Sequence, residues 1–126
     1  MALRLDHIAL LVRDLDESAR FYTSIPGITE IPNPMGGTEI RWFTCGGGQR
    51  FHLQQGDISA THVEKPTHFA FATDDFDGLL QGLAAARLSY ADFKGTPGAI
   101  NVRPDGVRAV FLRDPNGYWL ELNDQA

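Results

Sequence analysis

The sequence predicts an α+β fold made of two βαβββ modules in tandem, and three observations predict it. A pattern opening at His7-Ile8-Ala9-Leu10 opens again at His68-Phe69-Ala70-Phe71. His7 maps to His68, Ala9 to Ala70, Asp14 to Asp75 and Asp16 to Asp77, each at an offset of 61 (68 − 7 = 61). The copies also end alike: Phe51-His52-Leu53-Gln54 answers Leu120-Glu121-Leu122-Asn123 at an offset of 69 (121 − 52 = 69), which puts eight extra residues inside the second copy (69 − 61 = 8). Within each copy, one stretch of helical spacing follows the first strand, and short β-rich runs separated by Gly or Pro follow the helix.

The elements follow in order. Residues 5–12 (LDHIALLV) are short, apolar and β-leaning. Asp14 as N-cap with Glu17 three residues on makes a capping-box-like start; Leu15, Ala19 and Tyr22 recur at helical spacing, and Pro26-Gly27 stops the helix. Residues 28–37 carry Pro32, Pro34 and Gly36-Gly37 and read as a loop around a short strand. Strands follow over 38–44 and 49–55, with Gly46-Gly47-Gly48 as the hairpin turn. Residues 57–66 are polar and form the linker. The second copy predicts a strand over 67–73, a helix over 75–87 and a loop around Lys94–Gly98. Strands follow near 99–103, 107–113 and 117–123, the last two joined by the tight turn Asp114-Pro115-Asn116-Gly117. The chain is thus one domain over 1–126, with module one at about 4–56 and module two at about 67–124.

Bulk numbers narrow the function. The 126 residues are 43% hydrophobic and 21% charged, ordinary for a globular domain. Net charge is −5 with no cluster of Lys or Arg, which argues against nucleic acid or an anionic membrane surface as the main partner. No apolar run approaches the roughly 20 residues of a membrane span. The N-terminus leads straight into the repeat rather than through a signal peptide. Cys45 is the single cysteine, so no intrachain disulfide forms, and a cytoplasmic location is the simplest expectation.

Strand alternation then sorts the side chains. His7, His52, His68 and Glu121 stand at repeat-equivalent places, and all four are metal-ligating types. Their faces carry small or mixed neighbours: Ala9 and Leu11 beside His7, Ala70 and Ala72 beside His68, Arg50 and Gln54 beside His52, and Trp119 and Asn123 beside Glu121. The opposite faces carry Ile8, Leu10, Phe51, Leu53, Phe69, Phe71, Leu120 and Leu122 and call for helices over them. A lone strand histidine is usually structural; four ligating groups at matching places are a stronger signal. His62, in the linker with no counterpart, is a solvated loop residue.

The combination His7…Asp14-Leu15…Phe21-Tyr22, then His68…Asp75, then Asp114-Pro115-Asn116-Gly117-Tyr118-Trp119-Leu120-Glu121 resembles the vicinal oxygen chelate superfamily, which includes glyoxalase I, extradiol dioxygenases, methylmalonyl-CoA epimerase, fosfomycin-resistance transferases and bleomycin-binding proteins. The resemblance implies curved, barrel-like mixed sheets around a divalent metal, and a homodimer whose sites take ligands from both subunits. Position by position, it implies His7, His68 and Glu121 as ligands. The fourth ligand position, Glu or Gln in many glyoxalases and epimerases, is His52 here. That departure leaves His52 either as a fourth ligand or as a residue in contact with substrate.

A divalent ion in such a site (Zn, Ni, Co, Mn or Fe) polarises a substrate oxygen, and two His with one carboxylate also match the facial triad of non-haem Fe(II) enzymes. The expected function is therefore a metal-dependent lyase or isomerase of glyoxalase I type, acting on a small oxygen-chelating substrate or a thiol conjugate such as a glutathione adduct. Glu121 is the expected base and His52 the second proton shuttle. The alternatives are an Fe(II) extradiol-type dioxygenase, a glutathione-dependent antibiotic-modifying transferase and a non-catalytic drug-binding protein. Among Arg41, Arg50, Arg103 and Arg108, mostly solvated, Arg41 beside Trp42 is the expected substrate anchor. Cys45 has no activating neighbour, and Gly46–Gly48 lacks the strand-to-helix context of a phosphate loop.

Overall fold

A computed structural model of the chain describes residues 1–125. It shows the α+β architecture as two open four-stranded mixed sheets, with no closed barrel among the described residues. In chain order the elements are β1 (His7–Val12), α1 (Leu15–Thr23), β2 (Thr29–Ile31), β3 (Ile40–Gly46), β4 (Gln49–Gln55), β5 (His68–Ala72), α2 (Phe76–Ala85), β6 (Asn101–Val102), β7 (Arg108–Arg113) and β8 (Trp119–Asn123). The chain forms two compact units. One comprises Met1–Thr23 and Gly27–Thr61; the other comprises Ser24–Pro26 and the chain from His62 onward.

In the first unit the strand order is β1-β4-β3-β2, with β1 parallel to β4 and the rest antiparallel. One face of this sheet is apolar and buries Leu10, Val12, Phe43, Phe51 and Leu53 with Ala19 and Tyr22 of α1. The Tyr22 ring meets Phe51 edge-on at 5.2 Å, and Phe51 stacks on Phe43 at 5.2 Å. Asp14 caps α1, its Oδ1 accepting from Glu17 N at 2.9 Å, while Gln55 at the end of β4 accepts from Leu15 N at 2.9 Å. The Glu17 carboxylate turns outward to Arg13 at 2.6 Å, so only half of the expected capping box is made.

The second unit repeats the plan with order β5-β8-β7-β6. Its apolar face buries Leu79, Leu83, Val110, Leu112, Leu120 and Leu122. Asp75 caps α2 by accepting from Gly78 N at 3.0 Å. The helix ends two residues short of the expected point: Arg87 takes φ 59°, and Leu88 N returns to Leu83 O at 2.9 Å. The turn into β8 is built on buried Asp114, whose Oδ1 accepts from Asn116 N and Tyr118 N at 2.8 and 3.0 Å. Gly117 there has φ 94°, the left-handed region that glycine enters without penalty.

The inner-strand register is the same in both units. His7 pairs with Arg50 and His68 with Trp119, so each candidate ligand of the fourth strand (His52, Glu121) lies opposite an alanine (Ala9, Ala70). The eight-residue surplus falls chiefly after the helix: 86–100 separates α2 from β6, whereas 24–28 separates α1 from β2. Two of the boundaries that differ from expectation have a local cause. β3 starts at Ile40 because Asn33 Nδ2 donates to the carbonyls of Gly36 and Ile40, holding the preceding loop. β6 shrinks to two residues before the turn at Pro104.

Candidate metal and substrate site

In the first unit, β1 and β4 run parallel and bring His7 and His52 together diagonally, ring centroids 5.2 Å apart. Trp42, the β3 partner of His52, closes the group at 4.6 Å from His52 and 5.3 Å from His7. Each imidazole has a distinct state. His7 Nδ1 lies 2.8 Å from Asp6 Oδ2; a carboxylate oxygen accepts, so Nδ1 carries a proton and Nε2 is the nitrogen left for a ligand. This contact, more than the adjacent arginines, holds the Asp6 carboxyl below its ordinary range. His52 Nδ1 is buried and has no hydrogen-bond partner among the described residues. Burial, and secondarily the neighbouring His7, pushes His52 down from its ordinary value, favouring the neutral ring that binds metals.

In the second unit, β5 and β8 bring His68 and Glu121 together, with Nε2 and Oε1 3.3 Å apart. His68 Nδ1 donates to the Lys65 carbonyl at 2.9 Å, which leaves Nε2 as the open nitrogen. Asn123 Nδ2 donates to Glu121 Oε2 at 2.6 Å, while Asn123 Oδ1 accepts from Gln125 N at 3.0 Å, fixing the amide's orientation. Phe111, opposite Glu121 in β7, meets His68 edge-on at 5.4 Å and occupies the place that Trp42 fills in the first unit.

Lys65 backs this second pair. Its ammonium donates to the carbonyls of Asp92 and Phe93 at 2.9 and 2.7 Å and lies 5.0 to 5.3 Å from the rings of Trp119, Phe111 and Phe93. Asp92 and Phe93 belong to the long segment after α2, so the surplus residues of the second copy hold the lysine whose carbonyl orients His68.

The structure thus joins His7 to His52 and His68 to Glu121. Among the described residues it gathers no group of three or more His, Cys, Asp or Glu side chains. Both pairs suit a divalent ion: each leading histidine has its outer nitrogen fixed by an acceptor, the usual support for an imidazole ligand, and His52 offers an unused buried nitrogen. Trp42 stands with the imidazoles, but Arg41 does not. Neighbours on a strand point to opposite faces, and Arg41 turns toward α1, donating from Nε and Nη2 to Glu30 at 2.9 and 2.8 Å and from Nη1 to Asp16 at 2.8 Å. Arg108 does the same in the second unit with Asp124 and Asp77. The repeat-equivalent aspartates Asp16 and Asp77 each anchor an arginine from the third strand. Among the described residues, His62 pairs with Glu64 alone, on the surface at 2.9 Å.

The sequence expectation omits two contributors, Asp6 and Lys65, and ranks Arg50 behind Arg41. Asp6 adjoins His7 directly, Arg50 shares the His52 face by simple alternation, and Lys65 gave no signal because its partners lie 27 and 28 residues away.

Two βαβββ units, each with a His-led pair of candidate ligands on the sheet face away from its helix, define a tandem-module α+β class of protein. The chain belongs to the Glyoxalase/Bleomycin resistance protein/Dioxygenase superfamily, whose family model matches residues 4–122. Oxidase ChaP-H2 is similar at 29% identity with a TM-score of 0.76, the match covering 100% of this chain and 96% of that one. The fosfomycin resistance protein FosX from Mesorhizobium loti shares the fold at 21% identity and a TM-score of 0.72, covering 100% and 95%. The protein YwbC of Bacillus subtilis (strain 168) is 29% identical over 97% of this chain and 98% of its own length.

Proposed function

We propose that the chain is a metal-dependent lyase or isomerase of glyoxalase type, acting on a small substrate that presents two adjacent oxygens, free or carried on a thiol conjugate. The observation that carries this reading is the state of the ligand atoms: His7 and His68 each spend Nδ1 on an acceptor and keep Nε2 open, and Glu121 Oε1 is aimed at the open nitrogen of His68. His7, His68, Glu121 and His52 would hold the ion, which supplies Lewis-acid polarisation of a substrate oxygen. A catalytic site needs three or more protein ligands, so the reading requires a pair from each unit, and we assign the assembly to a homodimer. Glu121, steadied at Oε2 by Asn123, takes the proton from the carbon beside the polarised carbonyl. His52 moves the second proton, and Trp42 walls the site against water.

A second reading is favoured by a specific finding: Oxidase ChaP-H2 and Oxidase ChaP-H1 are each 29% identical to this chain over nearly its whole length. Under it, His7, His68 and Glu121 form a facial triad for oxygen-dependent oxidation, and His52 contacts substrate instead of metal.

Elemental analysis of the purified protein and of His7→Ala and Glu121→Ala, followed by assays, separates the two. Turnover of the methylglyoxal hemithioacetal with Ni, Co or Zn supports the lyase. Bound iron with oxygen uptake on catechols supports the oxidase. Absence of stoichiometric metal after reconstitution overturns both.

A further inference from the structure

Of the two strand arginines in the first unit, Arg41 and Arg50, only Arg50 has its guanidinium beside the imidazoles, much as Arg113 lies over Trp119 in the second unit. It pairs with His7 in the β1–β4 register and precedes His52 by two positions, so all three share a sheet face. Its Cζ lies 5.0 Å from the centre of the Trp42 ring, the same ring that touches both His7 and His52. Among the described residues its hydrogen bonding is a single 3.3 Å contact from Nη2 to Asp6. Arg41 and Arg108, by contrast, are each held by two carboxylates. Asp6 does not neutralise Arg50 alone: the same carboxylate also faces Arg4 at 3.7 Å and receives His7 at 2.8 Å. Two guanidinium groups thus stand against one carboxylate, a local positive balance in a chain of net charge −5.

A guanidinium laid on an indole keeps its edge available, and that edge matches the two oxygens of a carboxylate. From this geometry we propose that Arg50, seated on Trp42, is the subsite for an anionic group of the substrate. The substrate class is then a small organic acid whose carboxylate lies a short spacer away from the two chelating oxygens. This rests on the metal-site reading above and adds to it the charge of the ligand.

The test compares two probes with the same chelating head. Succinohydroxamate ends in a carboxylate, and butyrohydroxamate ends in a methyl group. Both are titrated calorimetrically into the Co(II)-reconstituted full-length protein. Wild type is expected to bind succinohydroxamate at least about tenfold more tightly, the scale of a charge-assisted hydrogen bond. Arg50→Gln abolishes that preference while leaving butyrohydroxamate within about twofold, Arg50→Lys keeps part of it, and Arg41→Gln keeps all of it. A preference that survives Arg50→Gln overturns the subsite, as does a variant that weakens both probes equally, since that outcome makes Arg50 only a support for Asp6. If neither probe binds wild type, the metal reading falls, and the metal-free protein decides the subsite separately. Glutarate should then shift the Arg50 Nε–H and Trp42 Nε1–H resonances in wild type, with the Trp42 shift lost in Arg50→Gln. Unmoved resonances overturn the proposal.

Discussion

His68 Nε2 and Glu121 Oε1 face each other across 3.3 Å with their outer contacts already committed, His68 Nδ1 to the Lys65 carbonyl and Glu121 Oε2 to Asn123. A ring protonated at Nδ1 alone would set a lone pair against a carboxylate oxygen. Something positive belongs between them, either a second ring proton or a metal cation. Glu121→Gln removes that demand, because the amide donates a hydrogen of its own. Co(II) titration followed by visible absorption should show affinity falling by more than the roughly 10- to 100-fold that loss of an outer partner costs. Unchanged affinity would remove Glu121 from the ligand set.

Lys65→Met should act on the same histidine without touching it. The methionine keeps the main-chain carbonyl but loses two hydrogen bonds and three ring contacts of the ammonium. We expect a stability loss of about 1–3 kcal/mol by urea unfolding. Co(II) affinity should fall about tenfold, while the His7 and His52 ring resonances stay in place.

Arg41 makes an acid-sensitive clasp. Its two hydrogen bonds to Glu30 hold that carboxyl below its ordinary value of 4.5. A depressed carboxylate contributes stability above its unfolded value and loses it as pH falls through the lower folded value. Arg41→Met should therefore be less stable than wild type at neutral pH, and the gap should close on acidification below pH 4.5. Thermal unfolding from neutral to acid pH measures this; a gap independent of pH would mean that the clasp acts by packing alone.

Much of this organisation is readable in the chain before any coordinates. β4 falls on the expected residues 49–55, and the two matching pattern ends place His52 and Glu121 at equivalent strand positions. Turn chemistry and capping residues carry that information locally. Choosing between arginines failed for a physical reason: adjacency to Trp42 in sequence puts Arg41 on the other face of β3, whereas Arg50 reaches Trp42 across the sheet. Lys65 was invisible because its cage is assembled from β7, β8 and a loop whose path depends on tertiary packing.

Arg87 is the only described non-glycine residue with positive φ, at 59°. Side chains there crowd the backbone, at a cost of about 1 kcal/mol. Arg87→Gly, at the exposed end of α2, should raise the unfolding midpoint in urea without altering its slope. A lower midpoint would show that the arginine side chain stabilises the helix end.

The two leading histidines lean on supports of different kinds. His7 rests on the Asp6 side chain, and His68 on a main-chain carbonyl. A carboxylate makes its imidazole a stronger electron donor than a neutral carbonyl does, and only the carboxylate can be exchanged by a point mutation. One imidazole is therefore open to retuning through position 6, whereas every residue at position 65 supplies His68 with the same oxygen. The two copies thus carry one adjustable and one fixed electronic setting, so variation that reshapes the chemistry is expected to enter through the first half of the chain.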